Sequence, residues 1–411
     1  MIHIVPPPAD RREDLYDLAA KVFGGSQGYF AFLRACREGY FEGSTYDPAV
    51  SRVAMDGDAI VAHVGIWQYR MRVGRARLRT GGVGAVMTHG DYRKRGIAAR
   101  VFRAVVEAMK QGDYDFSVLF GIRDFYHRFG FVPAFPTVSH TVEVARLVHP
   151  PLKLRLRRVG YEQAVCGRGA IMRIYNREFA LRTGSAERPI YTLIGGLSAL
   201  PDQPEAFELT DASGRARGYV VVRAAGEELK ILEVGGLGPP CGVDQIVAAL
   251  ARLSGRRGCK RLVVEEMSHA HPLCVALRGG DCQVQMRHTR SGSAMARAIS
   301  LRRCLDAMAD ELSERLAPSP AAGFAGRLRI AGDGETVDLL IARGRVRVEG
   351  PAGRTPHRIA AGPVAARLIL GSDSPAALTI QSGVRYSGEA LALAEALFPG
   401  QWPTLSQIDH F

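Results

Sequence analysis

"GDYRKRGIAARVF", residues 90–102, joins two segments of different periodicity. The run "GAVMTH" before it, residues 84–89, is typical of a strand, and "AARVFRAVVEAMKQGDYDF" after it, residues 98–116, begins as a helix. The apolar positions of this helix fall at steps of four and three residues, at Ile97, Val101, Val105 and Ala108/Met109. The stretch is therefore predicted to be a basic turn between a strand and an amphipathic helix, which ends at Gly112.

The start of such a helix is a place where an anion can bind. Its first backbone N–H groups have no partner within the helix, and the helix dipole is positive at that end. Gly96 and Ala98 leave the turn without large side chains, so a pyrophosphate has access to the main chain. Arg93, Lys94 and Arg95 oppose the helix dipole, and this conflict favours a bound anion. By itself, the stretch fits equally well the charged flank of an ordinary amphipathic helix.

The basic turn is neither a P-loop nor a dinucleotide fingerprint, because the sequence lacks both G-x-x-x-x-G-K-[ST] and G-x-G-x-x-G. It resembles the Arg/Gln-x-x-Gly-x-Gly/Ala signature of the GNAT acetyltransferases, with Arg93 first and Ala98 last. A later segment, "FYHRFGFVPAF", resembles the Tyr-x-x-x-Gly-Phe element of that family, from Tyr126 to Phe131. Together with the strand and helix around the turn, these matches make residues 1–145 similar to the GNAT enzymes.

The rest of the chain narrows the resemblance. Residues 151–290 repeat the same order of elements, but "GLGPPCGVDQ" replaces the basic turn, so the architecture is repeated without the phosphate site. Residues 291–411 are predicted to form a small α+β unit, which begins with a helix over "AMARAISLRRCLDAMADELSERL" and ends at Phe411. Two GNAT-like domains followed by such a unit resemble the Eis-type acetyltransferases, which join them to a sterol carrier protein-like domain. The predicted fold class is α/β with mixed α+β parts: a catalytic GNAT domain (1–150), a degenerate second copy (151–290) and a sterol carrier protein-like domain (291–411).

The resemblance implies that acetyl-CoA binds between the strand and the basic turn. The edge of "GAVMTH" would pair with the pantetheine, and its N–H groups would polarise the thioester carbonyl. The pyrophosphate would lie on the amides of residues 94–99. The expected acetyl-CoA-binding residues are Val86, Met87, Thr88, Arg93, Lys94, Arg95, Gly96, Ile97, Ala98 and Ala99.

The same resemblance assigns two catalytic roles. Tyr126 is at the position from which the family protonates the departing CoA thiolate, and a phenol of pKa about 10 suits a thiolate of pKa about 8.5. The terminal carboxylate of Phe411 would act as the base, or would attract and position the amine. The alternatives are an aromatic residue packed beside Phe125, Phe129 and Phe131 in the first case, and a disordered last residue in the second.

Other polar residues are weaker candidates. His89 and His127 border the expected site and are candidates for proton relay, although a lone histidine is more often structural. Asp409 and Glu266 are candidates for attracting a cationic amine. We expect no metal site, because the seven scattered cysteines contain no C-x-x-C and no His/Cys cluster has zinc spacing.

Composition restricts the remaining classes of protein. A chain of 411 residues is long enough for two or three domains, and no apolar run approaches the length of a membrane span. The net charge of +13 is mostly dispersed arginine without an aromatic-interleaved basic face, so we expect no nucleic acid partner. A polyanionic cofactor explains the same charge. The first residues do not have the order of a secretory signal, so the expected location is cytoplasmic.

The predicted function is transfer of an acetyl group from acetyl-CoA to a primary amine by direct attack in a ternary complex. The expected acceptor is an aminoglycoside-like molecule, a polyamine or a lysine side chain, and the sequence does not distinguish among them. The alternative is a non-catalytic carrier of acyl-CoA or lipid that uses the C-terminal domain. The resemblance also implies a homo-oligomer, specifically a hexamer.

Overall fold

The computed structural model describes residues 1–25, 28–167, 169–190 and 204–410. In the first part of the chain the strands are β1 (Ile2–Val5), β2 (Arg52–Asp56), β3 (Ala59–Val73), β4 (Ala76–Thr88), β5 (Phe116–Gly121), β6 (Val132–Pro133) and β7 (Thr137–Glu143). The helices are α1 (Arg12–Phe23), α2 (Tyr29–Ala35), which continues as a π-helical turn (Cys36–Tyr40), and α3 (Ile97–Gln111). Short 3-10 helices span Ala9–Arg11, Gly90–Tyr92, Tyr126–Phe129 and Val144–Arg146.

The middle part contains β8 (Arg155–Val159), α4 (Tyr161–Cys166), α5 (Ala170–Glu178), β9 (Glu205–Thr210), β10 (Ala216–Ala225), β11 (Glu228–Gly235), α6 (Val243–Arg257), β12 (Arg261–Glu265), α7 (Pro272–Leu277), β13 (Gln283–Arg287) and β14 (Ser293–Ala298). The last part contains α8 (Leu301–Leu316), β15 (Gly326–Gly332), β16 (Glu335–Ala342), β17 (Arg345–Glu349), β18 (Arg358–Ala360), α9 (Ala365–Leu370), α10 (Pro375–Ser382), β19 (Arg385–Ser387), α11 (Ala390–Leu397) and a 3-10 turn (Gln407–Asp409). No helix in the parts that the structure describes is both long and apolar enough to cross a membrane.

The first sheet has the strand order β1-β2-β3-β4-β5-β14-β6 among the described residues. Its two faces are covered by helices from the same part of the chain. The apolar stripe of α3, which includes Val101, Phe102 and Met109, is buried on one face. Leu15 and Leu18 of α1 are buried on the other face. Period-3.6 patterning on the helices and two-sided burial of the central strands therefore fix this layer order.

The second sheet has the order β13-β7-β12-β11-β10-β9-β8 in the described part of the chain. Two strands cross between the sheets. β7 follows the first-sheet strands in sequence but pairs with β12 and β13, and β14 returns to the first sheet between β5 and β6. The two sheets are thus joined by exchanged strands as well as by packing, and the domain ranges 1–150, 151–290 and 291–411 stay a prediction.

The helix predicted over "AMARAISLRRCLDAMADELSERL" is wrong in its first residues. Residues 294–298 belong to β14, and α8 begins only at Leu301. The Ser300 side chain accepts a hydrogen bond from the Arg303 amide and caps α8. Pairing of β14 on both sides, with β5 and β6, outweighs the helix propensity of its alanine and methionine residues.

The third sheet has the order β17-β16-β15-β18-β19 within the described residues. α8 packs against β16 and β17 of this sheet and also against β4 of the first. Its Glu311 accepts a hydrogen bond from the Arg75 amide, in the turn between β3 and β4, at 2.8 Å. A side chain on Gly74 would collide with that carboxylate, so the glycine permits α8 to approach the β3–β4 turn closely.

A buried ion network joins distant parts of the chain. Arg188 donates to both carboxylate oxygens of Glu233 on β11, at 2.8 and 2.6 Å. The same guanidinium donates to Asp409, close to the C-terminus, at 2.6 and 3.0 Å. All three side chains are 2% exposed. Since buried charges are tolerated only when paired and hydrogen-bonded, this network fixes the position of the last described residues.

Replacing Arg188 with methionine should strongly destabilise the protein, because Glu233 and Asp409 would remain buried beside each other without a counter-charge. We expect the free energy of unfolding to fall by about 3–5 kcal/mol, measured by urea denaturation. The control is Arg34→Met, which breaks the Arg34–Glu38 pair, whose side chains are 72% and 40% exposed, and should cost less than about 1 kcal/mol. Equal losses in the two variants would contradict a stabilising role for the network.

Candidate active site

β4 and β5 separate near their carboxyl ends. They pair in parallel from Thr80 with Phe116 to Val83 with Leu119. Beyond Val83, the described hydrogen-bond register of β4 continues only towards β3. On the side away from β3, the backbone groups at the end of β4 therefore face a cleft between β4 and β5.

A bulge in β4 lies at the point where the strands separate. The β3–β4 register shifts by one residue between His63 and Gly65, so that Ala85 and Val86 together oppose Val64. Ala85 has a φ of +43°, which is unusual for a residue with a side chain. Such bulges turn a strand away from its neighbour, and this one directs the last residues of β4 along the cleft.

The end of β4 offers mainly its backbone to the cleft. Met87 is buried in the core beneath α1, whereas Val86 and Thr88 are half-buried. The carbonyl of Thr88 accepts a hydrogen bond from Nε of Arg93 at 3.3 Å, which ties the strand end to the basic turn. The structure thus brings Val86, Met87 and Thr88 next to the predicted phosphate site.

The basic turn leads directly into α3. Lys94 and Gly96 both have left-handed backbone conformations, with φ of +60° and +73°. A Cβ on Gly96 would meet nothing within 4 Å, so glycine is needed there for its conformation and not for space. Arg93, Lys94, Arg95 and Gly96 are all exposed.

The first turn of α3 has free hydrogen-bond donors. α3 has no side-chain cap, and its first turn carries no acidic residue. The backbone N–H groups of Ile97, Ala98 and Ala99 have no acceptor among the described residues, and the first bond is made by the amide of Arg100 to Gly96 at 3.2 Å. The Ile97 side chain is buried, and Ala98 and Ala99 are half-buried. These amides, the helix dipole and the exposed cations together form a site suited to a phosphate group.

Tyr126 begins a 3-10 helix just after β5. Its ring is 6% exposed and packs against Phe102 and Phe125, with centroids 5.3 and 4.9 Å away. A Cβ on Gly121, the last residue of β5, would lie 2.7 Å from the ring. The tyrosine therefore lies at the carboxyl end of β5, and its packing is compatible with a role at the cleft.

Burial raises the pKa of Tyr126 to about 12. The hydroxyl is accordingly neutral throughout the physiological range and is able to donate a hydrogen bond or a proton. His127, the next residue, is exposed. His89 is half-buried at the end of β4, with Nδ1 3.7 Å from a carboxylate oxygen of Asp91. The relay roles of both histidines stay predictions.

The C-terminal residues lie at the end of β5. The ring of His410 lies against that of Phe120, with centroids 3.6 Å apart and planes tilted by 32°, and its Nε2 is 3.4 Å from the Glu266 carboxylate. Glu266 directly follows β12 and has a φ of +56°. Phe411, the predicted terminal base, lies outside the described residues. Of the two residues before it, His410 lies against β5 and Asp409 belongs to the ion network with Arg188.

The structure corrects the prediction that Asp409 attracts a cationic amine. Its carboxylate is buried and bonded to Arg188, so it is unavailable to a ligand. Glu266 remains a candidate, because its side chain is 31% exposed. Among the described residues, no group of three or more histidine, cysteine, aspartate or glutamate residues is arranged to hold a metal ion.

The sequence gives no sign of a role for His63. This histidine lies on β3, fully buried, and its Nδ1 is 2.9 Å from the carbonyl oxygen of Ala85 in the bulge. In the sequence it is one histidine in an apolar strand, and such a residue carries no signal of what it bonds. Only the register of β3 against β4 reveals the contact.

Comparison with known proteins agrees with this geometry. Residues 4–134 match the model of the acetyltransferase (GNAT) domain. The whole chain superimposes on the whole of a GCN5-related N-acetyltransferase from Anabaena variabilis, with a TM-score of 0.77 and 16% identity. It likewise covers all of a GCN5-related N-acetyltransferase from Kribbella flavida (TM-score 0.69, 18% identity) and of Eis1 from Mycobacterium abscessus (TM-score 0.70, 13% identity).

No curated protein matches the sequence. At such low identities the structural likeness concerns the fold. The predicted α/β fold class is confirmed, since the sheets are mixed α/β and the neighbours with a GNAT fold cover the full chain. The protein therefore has a GNAT-type N-acetyltransferase fold, with a recognisable acetyltransferase domain in residues 4–134.

Proposed function

We propose that the protein transfers an acetyl group from acetyl-CoA to a primary amine. One observation carries the proposal: the cleft between β4 and β5 leads from unpaired backbone at the end of β4 to the free amides that begin α3. An extended thioester with a pyrophosphate at its far end fits this arrangement. The residues proposed to bind acetyl-CoA are those predicted from the sequence, between Val86 and Ala99.

The proposed reaction is a direct displacement within a ternary complex. The neutral amine nitrogen attacks the carbonyl carbon of the acetyl group, a C–N bond forms, and the C–S bond breaks. The amide of Val86, in the β4 bulge, donates to the carbonyl oxygen as negative charge develops on it. A proton moves from Tyr126 to the departing sulfur, and the nitrogen loses one to a base or to water.

The raised pKa of Tyr126 has two opposite effects on its proposed role as the acid. Its raised pKa keeps the proton available, but a phenol of pKa about 12 and a thiolate of pKa about 8.5 in water are poorly matched. The same desolvation raises the pKa of a thiolate that forms inside the cleft, so the mismatch becomes smaller there. We therefore propose that transfer accompanies C–S cleavage and does not precede it.

We also propose that the carboxylate of Phe411 receives or positions the amine. Support comes from the two residues before it, since Asp409 is bonded to Arg188 and the ring of His410 lies against Phe120 of β5. The expected acceptors stay those predicted from the sequence: an aminoglycoside-like molecule, a polyamine or a lysine side chain. Residues 291–411 are proposed to form a sterol carrier protein-like domain.

The test of this function is a thiol-release assay with acetyl-CoA and a panel of amines. The panel contains spermidine, an aminoglycoside and a lysine-containing peptide, and the acetylated product is identified by mass spectrometry. Amine-dependent release of CoA is expected with at least one acceptor. Binding of acetyl-CoA without release in the presence of any amine would overturn the proposal and favour the carrier.

Gly96→Ala should weaken acetyl-CoA binding, because alanine disfavours the left-handed conformation by roughly 1–2 kcal/mol. We expect the KM for acetyl-CoA to rise about tenfold, since about 1.4 kcal/mol corresponds to a factor of ten. Gly90→Ala is the matched control: a Cβ there also meets nothing within 4 Å, and its φ is not positive. Similar KM values in the two variants would refute the proposed phosphate cradle.

Tyr126→Phe should lower kcat by about a hundredfold, because it removes the proposed proton donor, and should change the KM for acetyl-CoA little. Steady-state kinetics at saturating amine measures both. Tyr114→Phe is the control, since Tyr114 is fully buried in the same unit and bonds to Asp47 away from the cleft. If Tyr126→Phe retains the wild-type kcat, Tyr126 is only a packing residue.

Extending the chain beyond Phe411 by three residues, Gly-Ser-Gly, should lower turnover at least about tenfold, because it removes the terminal carboxylate from its place. Affinity for acetyl-CoA, measured by calorimetry, should stay within about twofold of the wild type. The same extension placed before Met1, which is 95% exposed, is the control. Full turnover with the C-terminal extension would exclude the carboxylate from the reaction.

A further inference from the structure

The β4 bulge depends on an unfavourable backbone conformation. Ala85 has a φ of +43°, and a residue with a side chain pays roughly 1–2 kcal/mol for the left-handed region. Such a conformation persists only where surrounding contacts determine it. The contact in question is made by His63, from the neighbouring strand β3.

His63 is bonded at both ring nitrogens. Nδ1 lies 2.9 Å from the carbonyl oxygen of Ala85, and Nε2 lies 2.9 Å from the hydroxyl of Tyr46. Because a carbonyl oxygen only accepts, Nδ1 must carry the proton. Burial lowers the pKa of His63 to about 4, so the ring is neutral and Nε2 is free to accept from Tyr46. The two bonds select one tautomer and one ring orientation.

The surroundings leave this ring little freedom. The side chain of His63 is fully buried, and a Cβ on Gly65 would lie 2.8 Å from its Cε1 and 2.6 Å from the ring of Trp67. Gly65 therefore makes room for the two rings on either side of it. Tyr46 is held in turn by ring contacts with Phe41 and Trp67, with centroids 4.9 and 5.2 Å away.

We propose that His63 is a positioning residue for the acyl-transfer reaction. Its Nδ1–H holds the carbonyl of Ala85 towards β3, and the planar peptide bond then turns the amide of Val86 away from β3 and towards the cleft. His63 touches no substrate, and it acts by fixing the backbone donor that receives the developing negative charge. The inference depends on the proposed function and identifies what orients the donor.

Tyr46 connects this arrangement to a second cleft. A cavity of about 500 Å³ lies beside α1, and its lining includes Pro6, Tyr16, Phe41 and Tyr46. The hydroxyl of Tyr46 donates to His63, so the residue lines that cavity while its polar end supports the bulge. Loss of the hydroxyl alone should therefore loosen His63 without removing its bond to Ala85.

The first test compares two substitutions of His63. His63→Leu replaces the ring with an apolar side chain of similar bulk, which cannot donate a hydrogen bond. We expect kcat to fall about 10- to 100-fold, with the KM for acetyl-CoA within about threefold of the wild type. His63→Asn offers its side-chain N–H near the position of Nδ1, and should restore kcat to within about fivefold of the wild type. Tyr46→Phe should give an intermediate kcat. A kcat of His63→Leu equal to that of the wild type would overturn the inference.

A matched control separates this effect from loss of a buried histidine in general. His140 on β7 is also fully buried, and neither of its ring nitrogens has a hydrogen-bond partner among the described residues. His140→Leu should leave kcat unchanged. If His140→Leu lowers kcat as much as His63→Leu does, the effect is structural and the inference fails. Absence of acetyl transfer by the wild-type enzyme would instead defeat the proposed function.

A second measurement does not depend on the folding of any leucine variant. Nitrogen-15 NMR of histidine-labelled wild-type protein reports the tautomer of each ring, and comparison with His63→Asn identifies the His63 signals. We expect a neutral ring protonated at Nδ1, unchanged between about pH 6 and 8, since the pKa of His63 is lowered to about 4. An Nε2–H tautomer, or titration of the ring in this range, would overturn the inference.

Discussion

The guanidinium of Arg188 is the point through which the second sheet and the chain terminus are held together. Its partners, Glu233 and Asp409, belong to β11 and to the last 3-10 turn. Apolar packing alone would tolerate small shifts between such segments, because it has no direction. Two buried carboxylates around one planar cation do not tolerate them, since every lost bond leaves a charge in a medium that solvates it poorly. The position of His410 against β5 depends on this network.

The candidate site itself is built largely from main-chain groups. The end of β4 and the first turn of α3 supply amides, and the separation of β4 from β5 leaves them exposed to the cleft. The residue types matter mostly because they fix the backbone, as with Gly96 in the turn and His63 at the bulge. Different sequences can produce the same backbone fold, as the full-length structural likeness at 13–18% identity shows.

How much of this the sequence predicts depends on the range of the interactions. Glycine placement and helical periodicity predict the local features, which are the basic turn, α3 and the segment of Tyr126. The role of Asp409 is not predictable from the sequence, because its partner Arg188 lies 221 residues earlier and nothing near it indicates an ion pair. The residues of β14 predict a helix, because alanine and methionine favour helices, whereas the pairing of β14 with β5 is decided by residues far upstream. His63 was missed for the same reason: its bond to Ala85 exists only once β3 and β4 are in register.

The crossing of β7 and β14 between sheets has a consequence for how the chain is made. On the ribosome, β5 emerges early, but its neighbour β14 and therefore the link to β6 are missing until Ala298 has been synthesised. Until then the edge of β5 that pairs with β14 is exposed in the nascent chain, and β7 remains unpaired until β12 has been synthesised. Synthesis of the second unit is thus a condition for closure of the first. A pause or a premature stop between the two would leave a chain with an unpaired strand edge, which is prone to aggregate.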